Sequence, residues 1–310
     1  MRTTPARTRP LRRVYSDDGL GAASPGPFVL AGSIATPSCL LPTSTGRLFG
    51  VYVVARDGLP ARQVGLWSAQ KLSVVGRYMD IFSNGMKGKW EGLTHVELFP
   101  GPGLCVVEET GAEIPGSPRL ALETKKAFDR IVCVEADSVA YEALQRRIAA
   151  HPRNDTVRLI LGDCNEVIDE VLAEIPKGHL ALAFIDPEGV KGFEFATVER
   201  LTERRTDFIV LFPQNMAINR NRDKWLAASH ETPLDKLLGP NWRQHPEPEV
   251  RQFMELMGGL GYLVEGSGIN FSNSRGFRLY YLLFASRSPV GIDFWKKITE
   301  RPPDAQMRLL

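Results

Sequence analysis

The chain has 310 residues, 43% hydrophobic and 24% charged, which is enough apolar content for a sizeable core and excludes a wholly disordered protein. Its formal net charge is +2, so no global basic field recruits nucleic acid, and local patches must carry any such role. The four cysteines (Cys39, Cys105, Cys133 and Cys164) contain no C-x-x-C pair: no metal site or disulfide framework is expected, the usage suits a reducing cytoplasm, and no apolar run approaches the roughly 20 residues that span a bilayer.

Residues 1–50 differ from the rest. Arg2, Arg7, Arg9, Arg12 and Arg13 crowd the start, and Pro, Ser, Thr and Gly dominate to Gly46. The segment reads as a disordered basic extension. A nucleic-acid arm and a targeting peptide are the alternatives. One domain is expected over residues 51–300, with 301–310 as a tail. From Trp67 the pattern turns helical, with Leu72, Val75, Tyr78, Met79 and Phe82 at helical spacing. Ser68 is the expected N-cap and Asn84-Gly85 the expected stop. The apolar stripe is assigned to the core, and Lys71 and Arg77 to the solvated face.

The stretch His95–Gly103, HVELFPGPG, reads as a short buried strand that breaks into a glycine-rich turn. Glu97 lies inside the apolar run, where a charge is costly without a partner. Gly101 and Gly103 bracket Pro102 and let backbone N–H groups approach a ligand. A loop from Leu104 to Gly116 is expected next. Ser117-Pro118 then starts a helix that runs to about Phe128.

Four more apolar strands follow: Ile131–Asp137, Val157–Asp163, Leu180–Gly189 and Asp207–Pro213. Helices are expected between them at 138–150, 166–175 and 194–203. Continuous apolar strands alternating with helices argue a parallel sheet covered on both faces. Residues 214–241 are polar and partly helical, and 247–259 is a helix. YLVEGSGI and GFRLYYLLFAS leave no room for a covering helix between them, so they should pair antiparallel. A short amphipathic helix is expected at 293–300.

Four acids fall at four successive strand positions: Glu97, Glu135, Asp163 and Asp186. Glu97-x-Phe99-x-Gly101-x-Gly103 resembles the cofactor loop of class I S-adenosylmethionine (SAM) methyltransferases. In such a sheet Glu135 takes the ribose diol, because a carboxylate accepts from two adjacent hydroxyls. Asp163 receives the adenine amino group with Cys164 beside the ring, and Glu97 lies near the glycine loop and the methionine amine. A nicotinamide site fits worse. Val106 stands where a third glycine is required, and Glu135 lies 32 residues beyond Gly103 rather than about 20.

Asp186-Pro187-Glu188-Gly189 sits where methyltransferases of base amines carry Asp/Asn-Pro-Pro-aromatic. Asp186 is the candidate for positioning the acceptor nitrogen, and Pro187 holds it extended. A plain turn before proline is the other reading. Glu188-Gly189 replaces the stacking ring, which weighs against an amine acceptor. Asn215, Asn219, Arg220, Asn221 and Arg222 form a polar cluster for substrate or partner. Arg220 and Arg222 suit phosphate, and equally a helix cap or a partner.

Together DGLPARQVGLWSAQK, ELFPGPG, GSPRLAL, GDCNEVI, FIDPEG, FPQNMAINRN and YYLLFAS resemble the three-Cys-motif partner family (TcmP), over about Asp57 to Ile298. The resemblance implies an α/β fold: a doubly wound, mostly parallel, methyltransferase-like Rossmann sheet with an antiparallel last strand. It also implies a neighbour protein with a three-cysteine motif, similar to a radical-SAM iron–sulfur signature. The expected function is SAM-dependent methyl transfer to a nucleic-acid base or nucleotide-like substrate. The alternative is an accessory, non-catalytic partner of the three-cysteine protein.

Overall fold

The computed structural model describes residues 51–266, 271–272 and 278–300. The expected basic extension and the tail lie outside them. In chain order the elements are β1 (Tyr52–Val54), β2 (Pro60–Val64), α1 (Leu66–Met86), β3 (Gly92–Glu97), β4 (Leu104–Val107), β5 (Glu113–Pro115) and α2 (Ser117–Leu122). Next come β6 (Arg130–Glu135), α3 (Ser138–Ala149), β7 (Val157–Leu161), α4 (Ile168–Ala173), β8 (His179–Ile185), α5 (Phe195–Leu201) and β9 (Arg205–Phe212). The last are α6 (Asn219–Leu226), α7 (Pro233–Leu238), α8 (Glu249–Gly259), β10 (Leu263–Gly266), β11 (Phe271–Ser272), β12 (Arg278–Ser286) and α9 (Pro289–Glu300).

The main sheet runs β10–β12–β9–β8–β3–β6–β7, with β11 beside β12. The pairs β3·β6, β3·β8, β6·β7 and β8·β9 are parallel, and β12 is antiparallel to both β9 and β10. The expected doubly wound, mostly parallel sheet with an antiparallel last strand is therefore present. Its strands are largely apolar because successive residues feed opposite cores. Val132, Val134, Ala181, Ala183, Ile185, Phe208, Val210 and Phe212 pack on one face. Ile131, Cys133, Leu180, Leu182, Phe184, Ile209 and Leu211 pack on the other, against α1, α3 and α9. No helix among the described residues is long and apolar enough to cross a membrane.

Several expectations are corrected. The segment 104–116 is a hairpin, not a loop. Strands β4 and β5 join β1 and β2 in a second, four-stranded sheet of order β1–β2–β4–β5. Pairing of β2 with β4 is parallel and long-range, so no local signal marks it. Helix α1 starts at Leu66 after Gly65, and Ser68 is buried inside it. The helix also continues through Asn84-Gly85, where the Asn84 amide donates back to the Asp80 carbonyl at 2.8 Å. Helix α2 stops at Leu122, and the Thr124 hydroxyl donates to the Ala121 carbonyl at 3.0 Å to close its end. Helix α9 begins at Pro289, four residues before the expected start.

The turn between β3 and β4 fixes the geometry of everything above it. Gly103 has φ +79°, and a Cβ there would come within 2.7 Å of Leu144 Cδ1. Left-handed backbone and close packing both demand glycine. Gly103→Ala should lower unfolding stability by about 1–3 kcal/mol, read from chemical denaturation. A stability equal to wild type would show that the turn relaxes freely.

Candidate functional site

Strand β3 delivers Glu97 into the core. The carboxylate is fully buried. Oε1 accepts from the Ser117 hydroxyl, and Oε2 lies 3.1 Å from His95 Nε2. Both oxygens are thus engaged by the protein beneath the turn. Ser117 is placed to do this because Gly116 N–H donates to the Gly103 carbonyl at 3.0 Å, pinning the start of α2 to the turn.

Beside it, β6 ends at Glu135, which is also buried. Oε2 accepts from Gly101 N–H at 2.9 Å, and Oε1 from Asp137 N–H at 2.9 Å. Burial pushes this carboxyl above its ordinary range, against the pull of those two N–H groups and of Arg62. Asp137 in turn caps α3, with Oδ1 accepting from Val139 and Ala140 N–H. Tyr52 of β1 donates its hydroxyl to Asp137 Oδ2 at 3.4 Å. The small sheet therefore lies against the end of β6.

Asp186 follows β8, and its Oδ2 is held by the Lys71 ammonium. The Lys71 side chain is only 7% exposed and lies 5.3 Å from the centroid of Trp67. Lys71 therefore does not belong to the solvated face. It shares a helical stripe with buried Val75, Tyr78 and Phe82, which aims it at the sheet edge. Two residues beyond Asp186, Glu188 pairs with Nη2 of Arg62 at 2.7 Å. Arg62 comes from β2, where its pairing with Cys105 brings it beside the glycine turn.

These groups surround a cleft of about 330 Å³. Arg62, Lys71, Asp186 and Glu188 give it charge, and Trp67, Phe99 and Tyr280 give it aromatic walls. The Trp67 and Tyr280 rings meet edge to face at 4.8 Å. Arg62, Trp67, Lys71 and Tyr280 lie within DGLPARQVGLWSAQK and YYLLFAS, but the sequence assigned none of them to the site. A lysine in register with an apolar stripe was the available signal for Lys71. The aromatic faces absent from the Asp-Pro-Glu-Gly segment are supplied by α1 and β12.

The structure brings together Phe99, Gly103, Asp186 and Pro187 around this cleft. Gly101 and Glu135 lie just behind it, joined by their hydrogen bond. Asp163 and Cys164 stand further along the sheet edge and do not line it. Asp163 Oδ1 accepts from Asn165 N–H and its side-chain amide. The Cys164 thiol, pushed up to about 12 by burial, points to the Gly192 carbonyl at 3.6 Å. Asn165 ties this corner down, accepting from Glu194 N–H and the Thr197 hydroxyl.

The polar cluster after β9 belongs to a different cavity. Asn215, Asn219 and Arg222 line it with Glu249. Arg222 Nε donates to Glu249 Oε1 at 2.6 Å, and the Asn219 amide donates to Asn215 Oδ1. Asn221 donates to the Ala217 carbonyl at 2.8 Å, and Arg220 is exposed.

No protein family matches the sequence, and no curated protein does. Among solved structures, the chain is similar to a Legionella pneumophila protein of the DUF519 family, with 14% identity, 75% of this chain and 90% of that one covered, and a TM-score of 0.48. It is similar to a putative O-methyltransferase from Klebsiella pneumoniae, with 17% identity, 74% and 84% covered, and a TM-score of 0.41. It is also similar to the O-methyltransferase TomG from Streptomyces achromogenes, crystallised in complex with SAM, with 14% identity, 72% and 81% covered, and a TM-score of 0.42.

The Lys71–Asp186 pair has a measurable signature. Removing one partner leaves the other charge largely buried and uncompensated, whereas removing both does not. Lys71→Met and Asp186→Asn should each destabilise the fold, and the double variant should be more stable than additivity predicts by about 1–3 kcal/mol. Strict additivity in the cycle would show that the two charges do not interact.

Proposed function

We propose that the chain is a SAM-dependent methyltransferase whose acceptor is a nucleic-acid base or a nucleotide-like molecule. One observation carries the reading. The cleft lies at the point where the sheet reverses direction: from β3 the chain winds outward to β6 and β7, then returns to β8 and β9 on the other side. Doubly wound sheets bind ligands in the crevice outside the carboxyl ends of the strands at that point. Here the crevice is bounded by the glycine turn after β3 and by Asp186-Pro187-Glu188 after β8.

The residues suit the cofactor. The backbone of Gly101 and Gly103, at φ +60° and +79°, offers a turn without side chains. Each oxygen of Glu135 already takes one backbone N–H and keeps a second lone pair for a ribose hydroxyl. Asp163 and Cys164 lie one strand further along, where an adenine would extend.

When bound, SAM supplies a methyl group made electrophilic by a sulfonium. The chain's own residues then have positioning to do. Lys71 fixes Asp186 through Oδ2, which leaves Oδ1 to accept an N–H from the acceptor and aim its lone pair. Trp67, Phe99 and Tyr280 offer flat apolar surface to a planar base. Orientation of this kind accounts for most of the expected rate gain. Asp186, at the edge of the cleft, would also be placed to take the proton that the acceptor nitrogen gives up, or to hand it to solvent.

A second reading, an accessory subunit for a three-cysteine-motif protein, draws on one observation. Both acids of the Asp-Pro-Glu-Gly segment are held by cations of the same chain, an arrangement that also suits a closed, non-catalytic cleft.

Glu135→Ala should weaken SAM binding by about 1–3 kcal/mol, the cost of losing charge-assisted bonds to a buried diol, by calorimetry on a folded variant. Asp186→Ala should leave SAM affinity within about a few-fold but lower single-turnover methyl transfer by about 10²-fold, with Asp186→Asn milder. Full activity in Asp186→Ala removes that residue from the site. No transfer by any form, with or without the three-cysteine neighbour, favours the accessory reading.

A further inference from the structure

The four-stranded sheet has no part in the reaction as described, yet it places one guanidinium in the lining of the cleft. Arg62 lies across the glycine turn: a Cβ on Gly101 would sit 3.4 Å from both Nε and Nη2. Nη2 donates to Glu188 at 2.7 Å. Nε is buried and has no hydrogen-bond partner among the described residues. Burial acts to lower the Arg62 pKa, but Glu188, Tyr52 and Glu135 raise it further, so the side chain stays charged.

An arginine presents Nε and one terminal nitrogen along a single edge, spaced for the two oxygens of one carboxylate. Glu188 meets only one donor of that edge. The other is left buried and unsatisfied, which native interiors avoid. Lys71 offers no comparable opening, since Asp186 and the Trp67 ring already flank it. Arg62 and Glu135 also bracket Gly101, one against its Cα and the other on its N–H. A ligand whose diol rests on Glu135 would carry its other end across the turn to Arg62.

We propose that Arg62 binds the α-carboxylate of the cofactor's amino-acid moiety through Nε and Nη2, and that Glu188 holds the guanidinium until that carboxylate displaces it. The inference rests on the reading of the cleft as a SAM site, and it assigns a ligand-binding role to the small sheet.

Two ligands separate the carboxylate from the rest of the cofactor. S-adenosylhomocysteine carries it. 5′-Methylthioadenosine keeps the adenosine and thioether but lacks the amino acid. Calorimetry should show Arg62→Gln weakening S-adenosylhomocysteine by about 10-fold or more while methylthioadenosine changes by less than about 2-fold. Glu188→Gln, at a half-exposed position that threatens no core, should tighten S-adenosylhomocysteine several-fold and leave methylthioadenosine unchanged. Equal losses for both ligands in Arg62→Gln, or unchanged S-adenosylhomocysteine affinity in both variants, would overturn the assignment while leaving the cofactor site standing. A wild-type chain that binds neither ligand overturns the cofactor reading itself, and this inference with it.

Discussion

A carboxylate inside the central strand sets the terms for the rest of the fold. Glu97 closes β3 with no solvent exposure, and an unpartnered charge there would cost several kcal/mol. Its partners are His95, two residues back on the same strand, and Ser117, twenty residues ahead. Reaching Ser117 forces the start of α2 back onto the glycine turn, where Gly116 N–H meets the Gly103 carbonyl. The chain between them is expelled as the β4–β5 hairpin. That hairpin then pairs with β2 and brings Arg62 into the lining of the cleft. A buried acid in one strand thus helps decide which basic side chain of another lines the cleft.

Charge in the cleft is arranged as facing pairs. The acids stand on the ends of the main sheet, and the cations come from elements that precede it in the chain, α1 and β2. Each pair is partly screened from water, so its geometry is worth more than a surface contact would be. The aromatic walls follow the same division, with Trp67 contributed by α1 and Tyr280 by β12. The first segments of the folded domain therefore act as the roof of a site whose floor is the sheet.

The sheet was legible in the sequence because both of its faces are buried. Unbroken apolar runs such as Leu180–Ile185 and Phe208–Phe212 leave no other reading, and the antiparallel pairing of β10 with β12 follows from the short connection between them. The acids at the strand ends were legible too, being the polar residues that interrupt those runs. What escaped was set by distant pairing or by direction. Strand β4 looked like a loop because the strand it joins in parallel, β2, lies far back in the chain. Lys71 was read as solvated although its spacing from Val75, Tyr78 and Phe82 put it on the buried stripe; residue type was allowed to outweigh register. Arg62 falls in a segment quoted for the family resemblance, but nothing local gave it a role, since its position depends on the hairpin. The same limit applied to Asn215, Asn219 and Arg222. They are close in sequence to the cleft's rim at Pro213, yet they turn into a separate cavity with Glu249.

A crystal structure with S-adenosylhomocysteine bound tests the site most directly. The ribose hydroxyls should lie on the Glu135 carboxylate, the adenine toward Asp163, and the thioether over the Gly101–Gly103 turn facing Asp186. A ligand seated instead in the cavity lined by Asn215, Arg222 and Glu249, or an empty cleft at saturating concentration, would contradict the assignment.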